Sequence, residues 1–578
     1  MAPEWPSGGA LSPVSPDELV EQRHLGREEI QAGDIQAADS YASSMQDDQR
    51  LSGIRRAELV AAFSLATDLG LGQPMEHVLR SWVIATRLGN RLGLEADGRQ
   101  ALYYVVTLAW VGCVADTPEV AAWFGDDIAY RRDSFGVDRA GIPFMAYSLR
   151  QAGAGGSPLH RLRLAATLVV TGGAALARGF MNHCLTTARM AERLGLGDDV
   201  CDPLQQVFAR WDGKGVPAGV AGEDIAQSVR LFHVADTVEV LHRTRGVDEA
   251  VELARSWRGR QFDPIVVDAF CNAAGDVLAN LDEVADWSAL IEREPSLQRQ
   301  LSEGELDAGL EAVADFTDLR SAPRAGHSRA VAALAARAAE LCGLPEADVS
   351  TLRRAGLVHD LGLHGVPATI LEKAGPLSTP DFERLRLHAY YRERMLAKPP
   401  GLARVGAIAA MANERLDGSG YHRGLTGAAI PAAGRILAAA DAFQAMTEAR
   451  AYRPALTAKA ASAELRADVR AGRLASDAVD AVLAAAGQRR AKRATGPAGL
   501  TAREVEVLTL IARGASNKQV ARALGITAKT AETHVERIYS KIGASTRSTA
   551  TLFAVQHGLL ASLEPFDSSG ESRMALPR

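Results

Sequence analysis

The stretch RAGLVHDLGLHG, Arg354 to Gly365, decides how the rest of this chain is read. It sets His359 and Asp360 side by side in an apolar, helix-patterned run. Adjacent positions on a helix diverge by about 100°, so both side chains reach one ion only near a helix edge or end. His327 lies 32 residues upstream of His359, His388 lies 28 downstream of Asp360, and Asp441 opens DAFQAMTEARAYRP. Imidazole and carboxylate together suit Fe, Mn or Zn better than Mg or Ca. Taken singly, each histidine is more often a partly buried polar residue satisfied by hydrogen bonds than a ligand.

A second signal lies downstream. AMANERLDGSGYHRGLTG (Ala410 to Gly427) is a glycine-rich polar turn between helical runs, and FARWDGKGVPAGVAG (Phe208 to Gly222) resembles it. Asp212, Gly213, Gly215, Gly219 and Gly222 precede Asp417, Gly418, Gly420, Gly424 and Gly427 by a constant 205 positions, which marks an internal repeat. Asp68, His77 and Gly112 precede Asp318, His327 and Gly362 by 250, whereas His183 and Asp236 precede His388 and Asp441 by 205. The first copy therefore carries about 45 extra residues between Gly112 and His183.

The 578 residues exceed what one core usually serves, and 47% hydrophobic with 23% charged residues reads as a globular chain. Aromatics are 5%, and the excess of Ala, Leu, Arg and Glu favours helix over sheet. The apolar run between Arg163 and Arg178 is shorter than the ~20 residues of a membrane span. The start lacks the basic-then-apolar pattern of a signal peptide. Five scattered cysteines without a CxxC pair read as reduced thiols, so a cytoplasmic protein with no membrane partner is expected. Charge is uneven. From Arg489 to Leu560 twelve Lys or Arg face four acids, so this end is +8 and the remainder −14, which points to a polyanion partner for the tail alone.

His327, the pair His359-Asp360 and Asp441 resemble the H…HD…D signature of the HD phosphohydrolase superfamily. His388, ERLDGSGY and RAYRP narrow the resemblance to its HD-GYP branch over roughly 305–485. It implies an all-helical fold and hydrolysis of cyclic dinucleotides. It also implies that His327, His359, Asp360 and Asp441 ligate one divalent transition metal, that His388 contributes to a second, and that Asp360 and His388 are catalytic. The departures are specific. Ala412 and Asn413 replace two ligand histidines, Pro323 replaces an upstream Glu, Leu363 replaces a phosphate-binding Lys, and His422 replaces the Pro of the GYP triplet. One ion shell is expected to survive, and full cyclic di-GMP hydrolysis is doubted. His422 is a candidate substitute ligand. In the first copy Ala109-Trp110 replaces the HD pair and Val207 and Phe208 replace the later histidines, so no ion is expected there; Trp110 and Phe208 are expected to fill the pocket.

The C-terminal run contains TARE (Thr501, Glu504) and SNKQ (Ser516, Gln519), both capping boxes, and Thr527 as a third N-cap. Val505, Leu508, Ile511, Val520, Leu524, Ile526, Val535, Ile538 and Ile542 recur at helical spacing as a small core. Composition alone allows a solvated charged bundle here. The string from Leu500 to Leu560 resembles the LuxR-type helix-turn-helix almost without gaps. That implies Ala528–Ile542 as recognition helix, Thr546–His557 as a dimerisation helix, and Asn517, Lys518, Lys529, Thr530, Thr533, His534, Arg537 and Lys541 as DNA contacts. Ala531, where that family usually has Val, is expected to loosen the packing.

The expected architecture is all-α: a disordered segment 1–50, a degenerate HD-type domain 51–285, an acidic connecting helix 286–304, an HD-GYP-like domain 305–485, a basic linker 486–498, a four-helix LuxR-type domain 499–562 and a disordered tail 563–578. The expected function is a homodimeric transcription regulator on double-stranded DNA, controlled by metal or a nucleotide-type ligand in the second copy. The alternative is an active metal-dependent phosphodiesterase with an attached DNA-binding domain.

Overall fold

In the computed structural model, residues 53–171, 174–488, 497–544, 546–557 and 559 are described; the expected disordered segment 1–50, most of the basic linker and the tail lie outside them. Among the described residues every regular element is helical, and β pairing is limited to isolated bridges. No single helix among them is long and apolar enough to cross a membrane.

The repeat is visible element by element. The first copy uses α1 (Arg56–Gly70), α2 (His77–Arg91), α3 (Ala96–Leu108), α4 (Ala174–Arg193) and α5 (Gln227–Arg245). The second uses α6 (Glu303–Asp318), α7 (His327–Cys342), α8 (Glu346–Val358), α9 (Thr379–Ala397) and α10 (Ala432–Thr447). Asp68 accepts from the Val78 N–H at 3.0 Å and Asp318 from the Ser328 N–H at 2.9 Å, so each histidine-bearing helix starts on a buried carboxylate of the helix before it. Close approach explains one conserved spacing of the repeat. A Cβ on Gly112 would lie 2.3 Å from the His183 carbonyl oxygen, and one on Gly362 would lie 1.9 Å from that of His388. Only glycine lets the turn after each third helix press against the helix carrying the later histidine. The peptide bonds Val216-Pro217 and Tyr421-His422, 205 apart, are both cis.

The extra residues of the first copy fold as helices Thr117–Phe124, Asp127–Asp133, Gly141–Gln151 and Pro158–Thr171, where the second copy has only the single turn Ala368–Leu371. They have a core of their own around Phe124, Ala152 and Leu168.

The two copies share one apolar core rather than hanging on a tether. Helix α1 packs on α9, and reciprocally α6 packs on α4. Asp127, from the inserted helices, is fully buried; it pairs with Arg131 at 2.8 Å and with Arg320 of the second copy at 3.2 Å, and accepts from the Ala368 N–H at 2.9 Å. Burial pushes its carboxyl up, but the two guanidiniums more than offset this and hold it below the usual carboxylate range.

The expected connecting helix over 286–304 is not one helix. A short helix, Trp287–Arg293, ends before Pro295, and Gln300 pairs with Arg55 in a bridge. Pro lacks the N–H that would continue the ladder. Ser302 and Glu305 then form a capping box that starts α6, so the acidic stretch 303–318 is the first helix of the second copy.

The C-terminal unit contains α11 (Ala502–Ala512), α12 (Asn517–Leu524), α13 (Ala528–Ile542) and α14 (Arg547–Gln556). Both expected capping boxes form, and the Thr527 hydroxyl accepts from the Thr530 N–H. Gly525, at φ 65°, makes the left-handed turn between α12 and α13. Of the expected apolar residues, Leu508, Ile511, Val520 and Ile538 are in the buried core with Leu500, Val507 and fully buried Ala531, and Val505, Leu524, Ile526, Val535 and Ile542 pack against it half-buried.

Candidate metal centre and nucleic-acid interface

His327 is the first residue of α7, and His359 caps α8 with Asp360 in the turn that follows. The helix ends there, which lets two adjacent side chains face one point. His327, His359 and Asp360 each place one ligating atom within 4.8 Å of the others. Asp360 Oδ2 lies 3.5 Å from His327 Nε2 and 3.3 Å from His359 Nε2, and Asp441 Oδ1, on α10, lies 3.4 and 3.6 Å from the same two nitrogens. Such separations are of the order expected between ligands about 2.0–2.2 Å from a common ion.

The remaining valences of the rings support that reading. His327 Nδ1 is held by Glu448 at 2.8 Å and His359 Nδ1 by the Gly356 carbonyl at 2.7 Å, which turns both Nε2 atoms inward. His327 Nε2, His359 Nε2 and Asp360 Oδ2 are buried with no hydrogen-bond partner. Leaving three such atoms unsatisfied is costly, and a cation satisfies all three at once. Arg324 abuts Asp360 as an ion pair without the alignment of a hydrogen bond. Burial pulls the His359 imidazole toward its neutral, metal-binding form against the pull of Asp441. The Asp441 carboxyl, which burial alone would raise, is held well below its usual range by the two imidazoles.

His388 stands apart from this cluster. The side-chain amide of Asn413 lies 3.1 Å from its Nε2, and Arg392, fully buried, donates to Asn413 Oδ1 at 3.2 Å, to the Ala410 carbonyl at 3.2 Å and to the His359 carbonyl. Burial and the Arg392 charge push the His388 imidazole down to about 3. A guanidinium and an amide thus fill the place expected of the second ion's ligands. His422 is turned to Glu393 at 2.6 Å. Leu363 is buried against Val366 and Ile370.

The first copy is closed differently. The Trp110 indole donates to Asp236 at 2.8 Å and packs edge-on against Phe208 with centroids 5.9 Å apart. His77 lies 3.2 Å from Asp236 and 2.5 Å from Glu239. Burial lowers its pKa, but the charge of Glu239 and hydrogen bonds to Asp236 and Glu239 win and raise it to about 10. An imidazolium therefore neutralises the carboxylates here.

Sequence reasoning missed Arg392, Arg324, Glu448 and Glu239. A lone Arg or Glu on a helix carries no spacing signal, and their roles follow from contacts across helices.

In the C-terminal unit, Lys518, Lys529, Thr530 and Arg537 are exposed, and Asn517, Thr533 and His534 are half-buried. The Thr533 hydroxyl donates to the Lys529 carbonyl, Asn517 accepts from Arg547, and Lys529 pairs with Glu532 at 2.9 Å. Lys541 is committed within the domain: its ammonium binds Glu504 at 2.6 Å and the Gly499 carbonyl at 3.2 Å.

Comparison with known proteins agrees with this layout. The HD domain family matches residues 311–475, and the family of bacterial regulatory proteins of luxR type matches residues 498–554. A 3′3′-cGAMP-specific phosphodiesterase 3 of Vibrio cholerae is 27% identical over 405 residues, covering 69% of this chain and 88% of the relative. A cyclic di-GMP phosphodiesterase of Thermotoga maritima is 37% identical over 146 residues, covering 25% of this chain and 40% of its own length. The crystal structure of a cyclic GMP-AMP-specific phosphodiesterase from V. cholerae has a TM-score of 0.54 at 24% identity, covering 75% of this chain and 98% of that one, which establishes the fold of the body. The chain joins an HD domain to a C-terminal LuxR-type helix-turn-helix domain.

Proposed function

We propose that this protein is a DNA-binding transcription regulator whose second HD copy holds one divalent transition metal and takes a nucleotide-type signal. The observation that carries the reading is the pairing of an intact ligand cluster with a dismantled neighbour. His327 and His359 leave buried ring nitrogens without hydrogen-bond partners beside Asp360 and Asp441, while Asn413 and Arg392 fill the place of the second ion. Ligands for the ion are His327, His359, Asp360 and Asp441, with His388 beside it. Such an ion supplies positive charge for phosphoryl oxygens and acidifies bound water. Clamping both the attacking and the leaving oxygen takes two ions, so binding outlasts turnover in this arrangement.

The basic C-terminal unit supports DNA as the output. Lys529, Thr530, Thr533, His534 and Arg537 form the reading surface at the start and along α13, in the manner of a recognition helix, with Lys518 of α12 placed for a phosphate. A homodimer sets two such helices about one DNA turn apart on a two-fold symmetric operator.

Footprinting of the full chain on genomic fragments, with and without Mn or Fe and cyclic dinucleotides, tests this. Salt-sensitive protection that changes with metal or nucleotide is expected. No salt-sensitive affinity for any double-stranded fragment overturns it.

A second reading is favoured by the four retained ligands and by relatives described as cyclic dinucleotide phosphodiesterases: a metal-dependent phosphodiesterase with an attached DNA-binding domain. Cyclic GMP-AMP or cyclic di-GMP turnover with Mn or Fe, abolished in Asp360→Ala, would establish it. Bound metal without turnover favours the first reading.

A further inference from the structure

The first copy, which lost its HD pair, has a cavity of about 540 Å³ beside the place where that pair would stand. Arg139, Phe144, Phe180, Phe208, Lys214 and Gln261 are among the residues that line it. Arg139 and Phe144 belong to the insertion, and Phe208 sits at one of the two lost histidine positions. The cavity is therefore built in part from residues that the second copy's shorter connection lacks.

Its chemistry is two-sided. Phe180 lies 4.4 Å from Phe208 and 5.9 Å from Phe144, centroid to centroid, so three phenyl rings form a continuous aromatic wall. Arg139 lies over the Trp110 ring at 4.7 Å, and among the described residues no ion pair or hydrogen bond holds its guanidinium. By contrast Arg210 is fully committed to Asp138, Asp212 and Gln261. Lys214, at the rim, is 73% exposed and only loosely attracted by Asp212 at 3.8 Å. A guanidinium stacked on an indole keeps its in-plane N–H donors free for an anion. The volume falls within the ordinary range for small-molecule sites, about 300–1,000 Å³.

We infer that this cavity is a binding site for a nucleoside monophosphate, with the base against Phe144, Phe180 and Phe208 and the phosphate on Arg139 and Lys214. Aromatic walls accept any base by its π-face, and the guanidinium supplies the charge recognition. The site is separate from the metal cluster of the second copy and does not depend on its occupancy.

Calorimetric titration of the full chain with AMP, GMP, adenosine and inorganic phosphate tests the inference. AMP or GMP binds saturably, and adenosine and phosphate each bind at least about tenfold more weakly, because each lacks half of the contacts. Arg139→Gln, which keeps the shape of the side chain, weakens nucleotide binding by about tenfold or more. Phe208→Leu weakens it as well, and thermal melts report whether each variant stays folded. Titration in EDTA, which strips any ion from the second copy, leaves the affinity unchanged. The inference is overturned by absence of nucleotide binding, by adenosine or phosphate matching the nucleotide, or by binding that survives Arg139→Gln and Phe208→Leu.

Discussion

Trp110 in the first copy stands where Asp360 stands in the second, and both face the aspartate of the helix that closes the site. The indole N–H donates to Asp236 at 2.8 Å, whereas Asp360 joins Asp441 around two imidazole nitrogens that have no other partner. With Ala109-Trp110 in place of His359-Asp360, a hydrogen-bond donor stands where the other copy has a candidate ligand, and the two halves divide into a self-neutralised core and a proposed cation site.

The cation site is expected to take about one Mn, Fe or Zn per chain, as measured by elemental analysis of the purified protein. Glu448→Ala frees the outer nitrogen of His327 and is expected to weaken metal affinity by about 10–100-fold. Glu239→Ala, at the corresponding ring of the first copy, leaves metal content unchanged. Equal content in wild type and Glu448→Ala would remove the outer carboxylate from the account.

The His77 imidazole gains protons on folding, because its folded pKa of about 10 lies above the unfolded value near 6.5. Its stabilisation is complete below about pH 6.5 and disappears as pH rises toward about 10. The gap in melting temperature between wild type and His77→Gln is therefore widest near pH 6 and narrows by pH 10. A gap that widens with pH contradicts the assignment.

Asp127→Ala leaves Arg131 and Arg320 with less compensation at the junction of the copies and is expected to cost about 3–5 kcal/mol. Denaturant unfolding measures it. Asp127→Asn retains an acceptor for the Ala368 N–H and is expected to cost less, and an inverted order would exclude the charge pair as the cause.

Lys541 and Arg537 are predicted to behave differently although both lie on α13. Arg537→Ala weakens DNA binding and lowers the salt slope by about 0.9 if one phosphate contact is lost. Lys541→Ala removes the ion pair with Glu504, so the domain melts earlier while the salt slope stays nearly constant. Fluorescence anisotropy at several salt concentrations, beside thermal melts, separates the two.

Much of the ion cluster was legible from residues whose types and spacing are constrained by chemistry. His327, His359, Asp360 and Asp441 converge as the resemblance implies, and the helix starts at Ser516 and Thr527 follow from side chains that satisfy otherwise unpaired N–H groups. The stretch around Pro295 was misread because its acidic, helix-favouring composition continues across a residue that ends the hydrogen-bond ladder. Arg392 was invisible because burying a guanidinium requires partners from two distant segments, at His359 and at Ala410 to Asn413, which no local pattern records. The 45 extra residues were counted from the offsets, yet their helices and separate core follow only from tertiary packing.

Arg392 also makes the loss of the second ion hard to reverse. Restoring histidines at Ala412 and Asn413 would return the missing donors to a space still occupied by a permanent positive charge, which a divalent cation must displace. A dinuclear centre of the kind the resemblance implies would thus take at least three coordinated replacements, at Arg392, Ala412 and Asn413.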